Sequence, residues 1–428
     1  MSHSLDAQIV SHHLFADAKQ ARALFAQLRR EDPVHHTRAP GYPDAWAITK
    51  HADIMEIERQ SERFVNAPLT FIRPKAEQEI RMKETNDTGQ YFRLLVAMDG
   101  SDHRAHRGIA QAWFMPQNLK RVEQLIHEKT TELLDQMEAA GGSCDFAMDV
   151  AQWFPLRVMM TLLGIPDEDH AWLLRMTQQL LAPTDPDLKR DEADRAGAAS
   201  ISKQLAGEYL GYFGKVAQDR RVNPREDLAT LLVQAQPEGK PIGPLELMSY
   251  FLILATAGHD TTAASLGGGL LALMEHPDQF ERLRREPALL PSAVEEIFRW
   301  VTPVKHFCRT AAEDYVLRGQ QIRKGDILML FYPSANFDEE VFTDAEQFRV
   351  DRTPNKQIAF GFGPHVCLGQ HLARQELKIF FTELMRRFPR IEMAGKPELV
   401  ISNEVAGVKH LPVRYEALRT CESARLAV

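Results

Sequence analysis

The stretch FGFGPHVCLGQHLAR (Phe360–Arg374) gathers three glycines, a proline and one cysteine, Cys367, directly ahead of an amphipathic helical pattern. A cysteine at the head of a helix is biased towards thiolate, because unpaired backbone N–H groups and the helix dipole favour negative charge there. A lowered thiol pKa is therefore expected at Cys367. Thiolate suits a soft metal. The nearby glycines permit positive φ angles or close backbone approach to a flat ligand. One protein ligand from one loop implies that a bound group brings the remaining donors itself. Haem does this, with four pyrrole nitrogens of its own and an axial sulfur from the protein.

A second stretch, LATAGHDTTAASLGGG (Leu254–Gly269), sits where a buried helix is predicted over about Pro244–Glu275. Each glycine there costs roughly 1 kcal/mol relative to alanine, and a buried carboxylate without a partner costs more. Polar residues and glycines at that depth need a reason. The hydroxyl of Thr261 is spaced to bond back to the carbonyl of Ala257, which bends a helix. Gly267–Gly269 read as close helix packing without a catalytic part.

Together these residues identify a resemblance. FGFGPHVC followed by Leu368 and Gly369 is similar at every specified position to the haem-ligand signature of cytochromes P-450. The resemblance covers nearly the whole chain, to about Tyr415. It implies a mainly α fold with a small β region, with haem b between the long central helix and the helix of the Cys367 loop. Cys367 would be the axial thiolate, with Phe360 packed over it and Gly361 in the turn beside it. AGHDTT (Ala257–Thr262) resembles the family's oxygen-activation motif. There Ala257 and Gly258 would leave room over the haem, while Asp260 and Thr261 would relay protons to bound oxygen.

EIFR resembles the family's Glu-x-x-Arg pair. The i,i+3 spacing puts Glu296 and Arg299 on one helix face, with Arg352 implied as the third member. DGSDHRAHR resembles the helix whose His103 and Arg107 would hold one haem propionate, and Arg309 and His365 would serve the other. Two departures stand out. Phe337 occupies a position where the family usually has arginine, and His259 falls at a variable position with no catalytic part expected.

The implied activity is monooxygenation of a small or medium apolar substrate, such as a monoterpenoid or alkyl-aromatic hydrocarbon. A steroid or fatty-acyl substrate is the alternative; a peroxide-driven peroxygenase and a non-catalytic haem sensor or electron carrier are the competing classes. ATAGHDTT, PVKHFCRTA, YPSAN and SNEVAGVKHLPVR resemble the terpineol-hydroxylating branch. The expected pocket wall is Phe71, Phe92, Leu95, Thr256, Ala257, Val304, Phe307 and Val405, together with the 168–205 helix pair. No flavin or nicotinamide fingerprint is present, so electrons are expected from a 2Fe–2S ferredoxin and its NADH- or NADPH-dependent reductase. An acidic ferredoxin would dock on a basic face, with Arg374 and Lys378 as candidates.

These groups require a scaffold. The chain has 428 residues, 44% hydrophobic and 26% charged, which is ordinary globular composition. A formal charge of −8 disfavours a nucleic-acid partner. No apolar run reaches the roughly 18 residues of a membrane span, and no signal-peptide pattern opens the chain. The four cysteines form no CxxC pair, as expected in a reducing cytoplasm. One monomeric domain over 1–428 is expected, with a loose tail from about 417. Helical periodicity predicts about a dozen helices, including 17–32, 116–140, 145–163, 168–183, 187–220 and 368–388. The polar stretch 66–90 reads as a mobile loop, and one small β region follows Val304.

Overall fold

The protein was analysed as a computed structural model, which describes residues 5–86, 88–182, 185–189 and 198–418. Nine helices matter here: α1 (Ala18–Glu31), α2 (Gly100–Gln111), α3 (Trp153–Leu162), α4 (His170–Leu181), α5 (Ala198–Val222), α6 (Pro244–Ala257), α7 (Asp260–Glu275), α8 (Leu290–Val301) and α9 (Gln370–Arg387). Local chemistry explains their limits. Asp17 caps α1 by accepting from the backbone of Gln20, and Ala21, Leu24, Phe25 and Leu28 then form its buried stripe. Helix α8 buries Leu290, Ala293, Val294, Ile297 and Phe298 and stops where Thr302 turns left-handed, φ 40°.

The main apolar core lies where α3, α6, α7, α8 and α9 meet. Two glycines allow the closest approach in it. A Cβ on Gly268 would lie 2.8 Å from Val301, and one on Gly269 would lie 2.8 Å from Ile297, so α7 rests directly on α8. Gly267 has only ordinary contacts.

Beside the helices lies a five-stranded sheet in the order Val34–Thr37, Ala45–Ile48, Ile327–Leu330, Phe307–Ala311, Phe64–Val65. Only the pair 45–48 with 327–330 is parallel. A three-stranded sheet joins Ser143–Asp145, Pro412–Glu416 and Arg390–Met393, and two hairpin-sized pairs complete the β structure.

Several expectations change. The 66–90 stretch holds a helix, Lys75–Glu84, with no buried residue and hence no apolar stripe to betray it. Charge pairing supports it instead, through Glu77 with Arg73 and Arg81. The 116–140 helix divides into Pro116–Leu119 and Glu123–Ala139, and 145–163 opens with a π-helical turn, Ala147–Ala151. The β structure is small, as expected, but among the described residues it is spread over four sheets, because N-terminal strands pair with the segment after Val304. The expected 187–220 helix is described only from Ala198, and the tail from 419 onward lies outside the described residues. Among the described residues no helix is long and apolar enough to cross a membrane.

Candidate active site

The predicted long central helix is two helices. Gly258 follows α6, and His259 leaves helical geometry at φ −120°, ψ −45° before α7 begins at Asp260. Two features hold the break. A Cβ on Gly258 would lie 2.6 Å from the Leu254 carbonyl and 2.6 Å from Met159 of α3. The Thr261 hydroxyl donates to the Ala257 carbonyl at 3.0 Å, as its spacing predicts.

The break faces a cavity that also receives Cys367, Phe360, Gly361, Ala257, Gly258, Thr261, His103, Arg107 and His365. Residues from three segments, far apart in sequence, thus surround one volume. Cys367 anchors its loop by donating its backbone N–H to the Phe360 carbonyl at 2.8 Å. Backbone N–H groups of Gly369 and Gln370 reach its thiol, and Arg107 and Arg374 add positive charge. Burial is the largest influence and pushes Cys367 up.

The loop leans on the helix His51–Arg59, which its own periodicity predicts but no motif connects with the site. Gly363 has φ +69°, and a Cβ there would lie 2.4 Å from the Glu58 carbonyl oxygen. Gly361 has similar φ, +71°, but faces only the Glu58 side chain at 3.5 Å. Gly363→Ala is therefore expected to cut haem loading severalfold, with Gly361→Ala milder. Left-handed strain of roughly 1–2 kcal/mol is common to both, and backbone overlap belongs to Gly363 alone. The haem-to-protein ratio of the two purified variants checks this.

The Glu-x-x-Arg pair is wholly buried. Arg299 meets Glu296 through two bonds, at 2.7 and 2.8 Å, and Arg352 adds a third at 2.9 Å. Both guanidiniums also hold carbonyls of the loop 336–347 that leads to the Cys367 turn. Phe337, at the position where arginine is usual, lies under two cations. Arg22 stands 4.4 Å and Arg299 5.0 Å from its ring, so cation–π contact occupies the place of an ion pair.

At the other edge, the rings of His103 and His365 stack 3.9 Å apart. Burial first, then neighbouring Arg107 for His103 and His103 for His365, lowers them to about 4 and about 3. Both are neutral at pH 7. His365 Nε2 meets the Asn66 side-chain amide at 2.8 Å, which leaves Nδ1–H as its donor. Positive charge at this edge therefore comes from Arg107. Arg309 does not line the cavity. Its guanidinium is spent on Glu58, at 2.9 Å, and on the Cys308 carbonyl.

The expected pocket wall divides. Leu95, Val304 and Phe307 line the cavity; Phe71, Phe92, Thr256 and Val405 do not. Phe71 packs on His306 and Phe307 instead, and the Thr256 hydroxyl is tied to the Leu252 carbonyl. Met159, Phe114 and Tyr250 also line the cavity, and none of them lies within a sequence motif. Glu376 of α9 was also missed. It lines the cavity fully buried with neither oxygen bonded, and burial pushes its carboxyl well above the usual carboxylate range.

Asp260 faces away from the cavity. It borders a cleft of about 80 Å³ on the far side of α7, with Gln152, Gln178, Val405 and Lys409. His259 is fully buried beside it. Its Nδ1 donates to the Ala255 carbonyl at 2.8 Å, while Nε2 lies 3.1 Å from the Thr177 hydroxyl and 3.2 Å from Asp260 Oδ1. Arg374, a candidate for partner docking, is engaged by Glu295 and stacks on Phe360 at 4.4 Å. Lys378 is exposed.

A thiol under converging backbone amides, set across a cavity from a broken helix, with an arginine and two neutral imidazoles at the edge, is a donor set suited to haem. Comparison with known proteins agrees. The cytochrome P450 family model matches residues 74–417. The chain is 38% identical to cytochrome P450-terp of a Pseudomonas species, over 94% of this chain and 95% of that one. It is 36% identical to the steroid C26-monooxygenase of Mycolicibacterium smegmatis, over 91% and 89%. The crystal structure of CYP108D1 from Novosphingobium aromaticivorans superposes with TM-score 0.89 at 36% identity, covering 97% and 98%. CYP268A2 from Mycobacterium marinum, in complex with pseudoionone, gives 0.85 at 31% identity over 96% and 97%. The chain belongs to the cytochrome P450 family. It is a haem b monooxygenase, an oxidoreductase that uses O₂ and electrons from a redox partner.

Proposed function

We propose that this enzyme hydroxylates a small or medium apolar molecule, a monoterpenoid or alkyl-aromatic hydrocarbon, with electrons from a 2Fe–2S ferredoxin. The observation that carries the substrate class is the apolar wall beside the α6–α7 break; the unbonded carboxyl of the lining, Glu376, comes from α9 next to the Cys367 loop. Leu95, Met159, Leu254, Val304 and Phe307 are apolar. The hydroxyls of Tyr250, Tyr332 and Ser265 are spent on His106, Glu58 and Thr261. An apolar ligand loses nothing in such a site, whereas a carboxylate would be desolvated without a partner. The likeness to cytochrome P450-terp and to the pseudoionone complex points the same way.

Cys367 would hold haem b through Sγ, with Arg107, His103 and His365 at the propionates. The bound group supplies O₂ activation and the oxidising power for a C–H bond. The chain's own part is positioning and protons. Thr261 presents its hydroxyl to the cavity, and Asp260, one residue earlier, reaches the polar cleft behind α7. That cleft has room for a few waters, each occupying about 30 Å³. Asp260 Oδ2 is buried without a bonded partner, free to take a proton from the cleft side and pass it towards Thr261 Oγ1.

His259 acts as a positioning residue. Its Nδ1 must donate, because it faces a carbonyl. The Thr177 hydroxyl bonds to the Leu174 carbonyl, so Nε2 faces two acceptors, that hydroxyl and Asp260 Oδ1. The ring lies between Thr177 and Asp260 and holds Asp260 in place. Exposed Lys378 is the remaining docking candidate for an acidic ferredoxin.

A ligand screen on the ferric haem protein tests the substrate class. Monoterpenoids and alkylbenzenes are expected to shift the spin state, with micromolar midpoints. A shift given only by steroids or fatty acids would replace the reading.

A further inference from the structure

A second cavity, of about 660 Å³, lies behind α7 and shares no lining residue with the haem cavity. Its walls come from α1, the far face of α7, the end of α8 and the segment 396–408; Phe25, Leu271, Trp300 and Leu399 make them largely apolar. Its size falls in the range of small-molecule sites.

The exceptional residue on this wall is Lys305, 7% exposed. Its ammonium donates to the carbonyls of Val301 and Thr302, at 3.1 and 2.8 Å, and sits over the Phe15 ring. No carboxylate among the described residues lies within ion-pair distance of it. Every other buried lysine or arginine has one. Arg29 has Glu339, Lys50 has Asp338, Arg220 has Asp227, Arg299 and Arg352 share Glu296, Arg309 has Glu58, and Lys409 has Asp185. Buried charges are normally paired, because desolvation is otherwise uncompensated.

The neighbouring charge that acts on Lys305 makes matters worse. It is Arg22, a second cation on the same wall, and burial together with Arg22 lowers the lysine to about 7. Arg22 itself stacks over Trp300 at 4.0 Å and reaches Glu346 only at 3.8 Å. Glu275 also borders the cavity, but acts on Arg22 rather than on Lys305.

We propose that this cavity binds an amphipathic monocarboxylate of fatty-acid type, with its carboxylate on Lys305 and its alkyl chain along Phe25, Leu271 and Leu399. One buried ammonium calls for one negative charge, and the apolar walls call for a hydrocarbon body. The ligand supplies the counter-ion that the chain lacks.

The test uses haem-loaded protein whose iron is capped with 4-phenylimidazole, so that the haem cavity is filled. Calorimetric titration with dodecanoate is expected to show saturable one-to-one binding. Lys305→Met should weaken it at least tenfold, and dodecanol should bind at least tenfold more weakly to the native protein. Leu271→Trp keeps the lysine but fills the cavity, and should abolish binding; it decides the matter if Lys305→Met loads haem poorly. The proposal is overturned by absent binding, by binding that 4-phenylimidazole suppresses, by equal affinity for dodecanol, or by affinity unchanged in both variants.

Discussion

Thr261→Ala is expected to leave haem content and substrate affinity near those of the native enzyme, while product formed per NADH falls about tenfold and hydrogen peroxide takes the difference. The hydroxyl contributes little to the fold. It makes one bond to the Ala257 carbonyl, next to the close approach of Met159 that Gly258 permits. Removing it costs about 1 kcal/mol of stability. What disappears is the polar group that stands between Asp260, on the cleft side of α7, and the cavity holding Cys367. A factor of ten in the productive branch corresponds to about 1.4 kcal/mol, within reach of one proton-donating contact. Asp260→Asn should give slower turnover with a solvent isotope effect, since the amide keeps the shape but cannot carry the proton. His259→Leu should lie between them, because Asp260 loses its clamp but keeps its chemistry. Unchanged product per NADH in Thr261→Ala would remove the hydroxyl from the proton path.

How much of this was legible beforehand depended on whether a residue acts through local spacing or through distant contacts. The Cys367 loop, the Thr261 back-bond and the Glu296–Arg299 spacing are written within a few residues of one another, and the helix His51–Arg59 followed from its own periodicity. The support beneath the Cys367 turn was not legible. Only the folded chain brings the Glu58 carbonyl against Gly363, three hundred residues away. The break at Gly258–His259 was read as a bend because both flanks are apolar enough for one helix, and the collision with Met159 depends on α3. Arg309 was assigned by analogy to a propionate, while its partner Glu58 carries no motif. Pocket residues fared worst. Val405 and Phe71 sit on the expected segments but face the cleft and His306, since a single residue of register decides which side is presented. The helix Lys75–Glu84 escaped because side-chain ion pairs, rather than an apolar stripe, support it.

Glu296→Gln is expected to produce protein with little haem and a sharply reduced yield, whereas Glu295→Gln, its immediate neighbour, is expected to load normally. The two carboxylates differ in what depends on them. Glu295 meets Arg374 with both side chains more than a quarter exposed, where such a pair contributes about 1 kcal/mol or less. Glu296 is wholly buried and accepts five bonds, from Arg299 twice, Arg352, Asn355 and the Arg349 backbone. An amide keeps the volume but replaces one acceptor oxygen with a donor facing donors. Two buried guanidiniums then lack their counter-ion. Loss of one partner from a buried pair costs roughly 3–5 kcal/mol, a large part of the 5–15 kcal/mol that typically separates folded from unfolded chains. The damage is directed at the cofactor because both arginines hold the 336–347 carbonyls, and Asn336 continues to the Ile358 backbone just ahead of Phe360. Loosening that run frees the Cys367 turn. Haem-to-protein ratio, thermal midpoint and the reduced carbon monoxide spectrum of the two variants separate these outcomes; Glu296→Gln with native haem content would show that the Cys367 loop stands without the buried charge cluster.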